Sequence, residues 1–270
     1  MTTLRLVGPG RAGRSMASAL VDTGCEWRGI LARGDTLTDA ARGVDVVIIA
    51  TPDAAVAEVA AAIAPVDGTV ILHLSGALGL DVLGGHQKRA SLHPLMPLPS
   101  AEVGRVRLRS GITFAVAGDA MATTLGRALG GRCIEIDDDH RAEYHAAACI
   151  ASNHLVALLG QVQRVAASAG LGVDAFLPLA AAALQDVADL GPAAALTGPA
   201  ARGDEATLTR HRAALAPEEI AGYDAGVALA RRLASVGSTP AMVSPVNDMS
   251  VKDASEKDGS EIRTEMAPCV

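Results

Sequence analysis

The chain has 270 residues, half of them hydrophobic but only 2% aromatic, and a net charge of −7. That apolar content supplies the core of one large domain or two ordinary ones, and the acidic balance with scattered arginines excludes a nucleic-acid partner, which needs clustered cations against phosphate. Cys25, Cys133, Cys149 and Cys269 form no C-x-x-C pair and have no histidine at zinc-ligand spacing, which predicts free thiols and no metal site.

Arg5 and Gly8 interrupt the first apolar run, so no signal peptide is expected. No uncharged apolar stretch reaches the roughly 20 residues of a membrane helix, so the expectation is a cytoplasmic protein with no membrane partner.

Leu4–Val7 reads as a strand that meets Gly8-Pro9-Gly10-Arg11-Ala12-Gly13. Ala12, Met16, Ala19 and Leu20 then recur at helical spacing. Glu26–Leu31 is a second strand, followed by Ala32-Arg33-Gly34-Asp35. Val44–Ala50 is a continuous apolar run of the kind buried on both faces of a parallel sheet. It stops at Thr51-Pro52-Asp53, before a helix over Ala54–Ile63. Thr69–Leu74 repeats the pattern and stops at Ser75-Gly76. Ala90–Leu92 leads into His93-Pro94, Ile112–Val116 is a further strand, Met121–Leu129 a helix and Cys133–Ile136 a last strand. Such alternation predicts an α/β fold over residues 1–137, a Rossmann-like doubly wound parallel sheet with right-handed crossovers.

The texture changes at Asp137-Asp138-Asp139. His140–Ala169, Val173–Asp189, Glu205–Leu215 and Pro217–Val236 all read as helix, with Pro217 fitting a first turn and Glu218 and Glu219 the positive end of the dipole. An all-helical second domain is expected over residues 138–243, rich enough in Ala and Leu to pack against its copy in a homodimer. Residues 244–270 lose periodicity and are expected to form a disordered tail.

The glycine loop carries the first functional signal. G-x-G-x-x-G is informative when it follows a strand and opens a helix, as here. Gly8 permits the tight turn, Gly10 lets backbone approach a pyrophosphate, and Gly13 lets helix and strand pack closely. Free N–H groups at the helix start then face the phosphates, so Gly8, Pro9, Gly10, Arg11, Ala12 and Gly13 form the candidate dinucleotide loop. NAD sites place Asp or Glu near the end of the second strand, whereas Arg suits a 2′-phosphate. Arg33 stands there, with Asp35 two residues on, so NADP is expected over NAD. Thr51, Pro52 and Ser75 follow later strand ends, where a parallel sheet opens its ligand crevice; ordinary turn chemistry is the competing reading.

Taken together, LRLVGPGRAGRSMASAL, VIIATPDAAVAEVA, LHLSGALGLDVL, SLHPLMPLPS, YHAAACIASNHLVAL and LTGPAARGD resemble a family of two-domain bacterial proteins with a Rossmann-like N-terminus and a helical C-terminal domain of unknown function. More distantly the chain is similar to ketopantoate reductases, pyrroline-carboxylate reductases and β-hydroxyacid dehydrogenases. The resemblance implies an NADPH-dependent oxidoreductase acting on a small keto acid or related carbonyl, with ketopantoate the best single candidate. There is one departure. β-Hydroxyacid dehydrogenases carry a catalytic Lys four residues before an Asn on the first long helix of the second domain; Asn153 matches that Asn, but Cys149 stands in the Lys position.

Reduction needs a proton donor beside the oxygen or nitrogen that accepts charge. At 100° per residue, His145, Cys149 and Ser152 share a face, Asn153 lies at its edge and His154 points away. His145 is the expected general acid, Asn153 orients the substrate or the nicotinamide amide, and Ser152 lies beside them. Tyr144 is a spare donor. His93, after a strand, lines the same crevice or a turn. Thr197 and Arg202 are candidates to grip a substrate carboxylate, against an interhelical turn in which Arg202 pairs with Asp204. Two other readings stay open: a deazaflavin-dependent NADP reductase, and a non-catalytic NADP-binding sensor or scaffold.

Overall fold

The computed structural model describes residues 1–237. The expected tail over residues 244–270, the end of the expected helical domain and Cys269 lie outside the described residues.

The chain divides into two compact units, of which Met1–Val173 is the first. It is built on a seven-stranded sheet in the order β2-β1-β3-β4-β5-β6-β7. The strands are β1 (Thr3–Val7), β2 (Glu26–Leu31), β3 (Val46–Ile49), β4 (Val70–His73), β5 (Lys88–Pro94), β6 (Thr113–Gly118) and β7 (Arg132–Glu135). Helices α1 (Arg11–Val21), α2 (Asp53–Ala62), α3 (Ala101–Leu108) and α4 (Met121–Ala128) connect them.

Because side chains alternate along a strand, the central strands feed two cores. Leu4, Leu6, Val46, Ile48, Val70 and Leu72 pack with Met16, Leu20, Leu108 and Leu125 on one face. Val7, Val47, Ile49 and Ile71 pack with Val56, Ala60 and Leu83 on the other. Both β3 and β4 are buried at every position, and each such large aliphatic side chain contributes about 1.5–3 kcal/mol. The continuous apolar runs in the sequence have this cause.

The first five strands are parallel, as expected, but β6 runs antiparallel to β5 and β7 follows β6. The connection between β5 and β6 explains the reversal. Leu95 donates to the carbonyl of Thr113 at 2.9 Å, and Pro94 pairs with Phe114, so residues 95–112 leave and rejoin the sheet at one end. Helix α3, not foreseen from the sequence, makes up this excursion. Ser100 caps it by accepting from the Val103 N–H at 3.3 Å, and Gly104 lets it close on Ser15 of α1.

The first unit continues through α5 (Arg141–Cys149), a π-helical turn (Ile150–His154) and α6 (Leu155–Ser168). This compact unit therefore runs on past the composition change at residues 137–139. Arg141 supplies the physical tie: its side chain is 1% exposed and donates to Ser91 Oγ on β5 and to the Ile136 carbonyl.

The second unit, from Asp174, contains α7 (Leu177–Leu190), α8 (Pro192–Ala195), α9 (Pro199–Arg202), α10 (Glu205–Ala214) and α11 (Pro217–Gly237). Asp204 caps α10, accepting from the Thr207 N–H at 3.0 Å. Among the described residues no single helix is long and apolar enough to cross a membrane.

Candidate functional site

The loop between β1 and α1 is held by three different glycine contacts. Gly8 has φ +96°, a conformation L-residues avoid, and a Cβ there would lie 2.9 Å from the Ala50 backbone. A Cβ on Gly13 would overlap the Gly8 carbonyl oxygen. Gly10 differs: the nearest protein atom to its missing Cβ is Ala50 O, at 4.0 Å. The fold requires Gly8 and Gly13, but it leaves room for a methyl group at Gly10. Pro9 completes the turn, its carbonyl accepting from Arg14 Nε at 2.8 Å.

Helix α1 starts without a side-chain cap and without an acidic residue in its first turn. The N–H groups of Arg11, Ala12 and Gly13 have no partner among the described residues, the first helical bond running from Arg14 to Gly10. Uncapped donors at the positive end of a helix dipole form a site for an anion.

Those donors border an open pocket of about 400 Å³ lined by Gly10, Arg11 and Ala12, by Ala50, Thr51 and Pro52, and by Leu74, His93, Pro94, Met96 and Leu98. It lies at the carboxyl ends of β1, β3, β4 and β5, where an open parallel sheet binds its ligand. Thr51 Oγ1 is buried without a hydrogen-bond partner, a costly state for a hydroxyl that nothing completes. Ser75 is occupied locally, its hydroxyl accepting from the N–H groups of Ala77 and Leu78 at 3.1 Å. After β2, Asp35 accepts from the Ala32 N–H at 2.7 Å, which ties its carboxylate into the turn. Arg33 beside it is exposed, with no ion pair among the described residues.

The structure brings three of the aromatic candidates together at the end of β5. Tyr144 Oη lies 2.6 Å from His93 Nδ1, and the His145 ring sits 6.2 Å from that of His93. Gly76 makes this possible, since a Cβ there would lie 2.7 Å from His93 Cε1 and 2.9 Å from His145 Cδ2. Burial, then the neighbouring His145 and Arg141 charges, pushes His93 down to about 4. Burial raises Tyr144 to about 12, against the pull of Arg141.

Beneath them lie residues the sequence reading passed over. His73, at the end of β4, accepts from the Ser75 N–H at Nδ1 and donates from Nε2 to Gly79 O at 3.3 Å. Its burial, reinforced by Arg141, lowers it to about 4. Arg141 also meets Asp138 at 3.2 Å, and Asp138 accepts from the Leu80 N–H at 2.9 Å, which ties the 79–80 loop to the start of α5. Met96 and Leu98 add pocket wall. A histidine at each of two adjacent strand ends, in LHLSG and SLHP, was the available signal.

The π turn corrects the helical phasing expected here. Its wider ring breaks the 100° step between Cys149 and Leu155, so the shared face of His145, Cys149 and Ser152 cannot be extended to Asn153 and His154 by simple rotation. Both of those are exposed. Ser152 Oγ lies 2.8 Å from Ala148 O and 2.9 Å from Asn153 Oδ1. Cys149 Sγ is 3.9 Å from His145 Nε2. Thr197 and Arg202 belong to the second unit, where Arg202 ends α9; Asp204 is engaged as the α10 cap. Among the described residues no group of three His, Cys, Asp or Glu could hold a metal ion.

Residues 110–230 match the family model described as a domain of unknown function, DUF2520. The match covers less than half of the chain, and the two-domain family resemblance read from the sequence is borne out. No curated protein matches the chain. Among solved structures, a candidate NADP oxidoreductase from Bacteroides fragilis is 22% identical with a TM-score of 0.72, covering 86% of this chain and 98% of that one. Protein TM1727 from Thermotoga maritima is 22% identical with a TM-score of 0.70, covering 87% and 100%. The reductive aminase from Aspergillus terreus, in complex with NADPH4, cyclohexanone and allyl amine, is 19% identical with a TM-score of 0.64, covering 87% and 98%. These likenesses show the fold: a Rossmann-like, mostly parallel sheet followed by helices.

Proposed function

We propose that the chain is an NADPH-dependent oxidoreductase that reduces a small carbonyl compound or its imine. One observation carries the reading: the unpartnered N–H groups of α1, the bare Gly10 and the orphaned Thr51 hydroxyl all border one pocket at the strand ends. The residues present fit a dinucleotide. Gly8 to Gly13 would hold its pyrophosphate, Thr51 and Pro52 would flank it, and Arg33 would meet the 2′-phosphate, since Asp35 is already tied to its own turn. When bound, a reduced nicotinamide supplies a hydride. The chain's own residues then supply the proton, from the cluster of His93, Tyr144 and His145, with Asn153 and Ser152 on the following turn as orienting groups. The similarity of fold to the Bacteroides fragilis protein and the reductive aminase supports NADP and a C=O or C=N substrate. Ketopantoate is the first keto acid to try, and Thr197 and Arg202 are the candidates to hold its carboxylate.

The same proposal makes the protein a cytoplasmic homodimer. The free thiols of Cys25, Cys133 and Cys149 suit a reducing compartment. Helix α6 exposes Val156 at 70% together with Leu158, and helix α7, by itself, exposes Leu179 at 69% together with Leu184 and Leu190; each is an apolar face that a second copy would cover.

Calorimetric titration with NADPH and NADH, followed by NADPH consumption against a panel of 2-keto acids with and without amines, tests the reading. Tight NADPH binding with turnover is expected. Binding without consumption by any member would leave a sensor or scaffold in its place, and no binding of either nucleotide would remove the redox function altogether.

A further inference from the structure

We propose that His93 passes the proton to the substrate as a neutral imidazole and is refilled through its other nitrogen by Tyr144, with Arg141 as the positioning residue beneath the pair. This rests on the reductase reading above and names the proton path within it.

The contact is short and direct. Tyr144 Oη and His93 Nδ1 are 2.6 Å apart, with the rings edge-on at 86°. A phenol hydroxyl can donate or accept; in the proposed path it donates, so Nδ1 accepts and the ring proton resides on Nε2. Nε2 makes no hydrogen bond among the described residues, and the ring lines the pocket. His93 therefore presents one free donor to whatever the pocket holds.

The groups around the ring do not all act alike: His145, Arg141 and His73 oppose its protonation and Asp53 favours it. From the start of α5 come Tyr144, His145 and Arg141, from the end of β4 comes His73, and from the start of α2 comes Asp53. Burial dominates and places His93 near 4, so no imidazolium is present at neutral pH. His73 is committed at both nitrogens and cannot take the role. His145 has no hydrogen bond to His93.

Arg141 shows what the arrangement sacrifices. It is almost fully buried, donates to Ser91, Asp138 and Ile136, and keeps Nη1 buried without a partner. Its one carboxylate partner among the described residues, Asp138, is 44% exposed. A buried cation left partly unmatched is costly. What it supplies is positive charge that opposes protonation of His73 and His93 and favours the Tyr144 phenolate.

The step balances. As the substrate oxygen gains its electron pair from reduction by the nicotinamide dinucleotide, it forms an O–H bond with the Nε2 proton. Nδ1 takes the hydroxyl proton of Tyr144, so one O–H bond breaks on the tyrosine for the one formed on product. The phenolate faces the Arg141 charge. A solvent proton then reaches Nε2 as Nδ1 returns its own to Tyr144. Neither group titrates in the neutral range, so the rate is flat there.

The test is a two-bond proton–nitrogen NMR spectrum of the full chain labelled with 15N-histidine, recorded between about pH 5.5 and 9 and assigned with His93→Gln. The expected His93 signal is a neutral Nε2–H tautomer across the range, and Tyr144→Phe converts it to a mixture of tautomers. A Nδ1–H tautomer in the unaltered protein, protonation within that range, or no change in Tyr144→Phe would overturn the proposal whether or not a substrate is known. With a substrate in hand, Tyr144→Phe should lower kcat by about 100-fold, leave KM and the NADPH dissociation constant unchanged, and Arg141→Lys should restore more activity than Arg141→Met. An unchanged kcat in Tyr144→Phe, or a rate falling through neutral pH, overturns it. Failure of NADPH to bind removes the reductase reading instead, and the tautomer result still stands on its own.

Discussion

Gly13 packs so tightly under Gly8 that a methyl group on it would overlap the Gly8 carbonyl oxygen. Two residues of one short loop are thus fixed by the protein's own backbone. Gly10, between them, is not. Gly13→Ala should destabilise the first unit by about 1–3 kcal/mol through overpacking. Gly10→Ala should leave the melting temperature unchanged and weaken NADPH binding by about tenfold or more, because the methyl group would occupy the space a pyrophosphate needs. Calorimetry and thermal melting on the two variants separate these effects. A Gly10→Ala protein that binds NADPH normally would show that the pyrophosphate does not rest against Gly10.

Arg33 and Asp35 follow one strand but are not equally available. The Asp35 carboxylate holds the Ala32 N–H, whereas Arg33 is exposed and unpaired among the described residues. A charge-assisted bond to a phosphate is worth about 1.5–3 kcal/mol. Arg33→Ala should therefore weaken NADP binding by about 10- to 100-fold and leave NAD binding nearly unchanged. Equal losses for both nucleotides would place Arg33 away from the 2′-phosphate.

The sheet was legible because β3 and β4 are buried on both faces and leave unbroken apolar runs such as VVII. The glycine loop was legible because its motif is short and Gly13 closes on the Gly8 carbonyl within it, although Gly8 is also held by the distant Ala50 backbone. Less could be read where long-range contacts decide. The reversal of β6 depends on α3 docking against α1, and its eight residues, AEVGRVRL, carry little apolar periodicity. The link of His93 to Tyr144 spans 51 residues and leaves no local trace. Arg141 reads as one more charge after an acidic run, although its burial is decided by Ser91, 50 residues earlier. Helical phasing failed at Asn153 because nothing in ACIASNH marks a π turn.

The apolar faces of α6 and α7 make a further claim testable. Val156 and Leu179 are each about 70% exposed, and covering such side chains is favourable by about 25 cal/mol per Å². Light scattering at about 10 μM should give twice the chain mass, since a standard interface of about 800 Å² per partner supports micromolar or tighter association. Val156→Glu and Leu179→Glu together should yield monomer. A monomeric unaltered protein would end the homodimer proposal.

His73 and His93 couple the first unit's stability to pH. Both are lowered from 6.5 to about 4 by burial, so below pH 6.5 the unfolded chain binds two protons that the folded chain refuses. Their contribution is therefore neutral above about pH 6.5 and increasingly destabilising as pH falls toward 4, at about 1.4 kcal/mol per pH unit for each histidine. Between about pH 7 and 5 the loss is about 2 kcal/mol for each. Trp27, the chain's single tryptophan, lies on β2 and donates to the Ala17 carbonyl of α1, so its fluorescence reports this unit. Urea unfolding followed at Trp27 should show the midpoint falling with pH over that window. His73→Gln should start lower at pH 7, by about 1–3 kcal/mol for its two lost hydrogen bonds, and then fall with about half the slope. An unaltered slope in that variant would mean that His73 takes up its proton without unfolding, and that the floor of the pocket is wetter than its buried, doubly bonded imidazole requires.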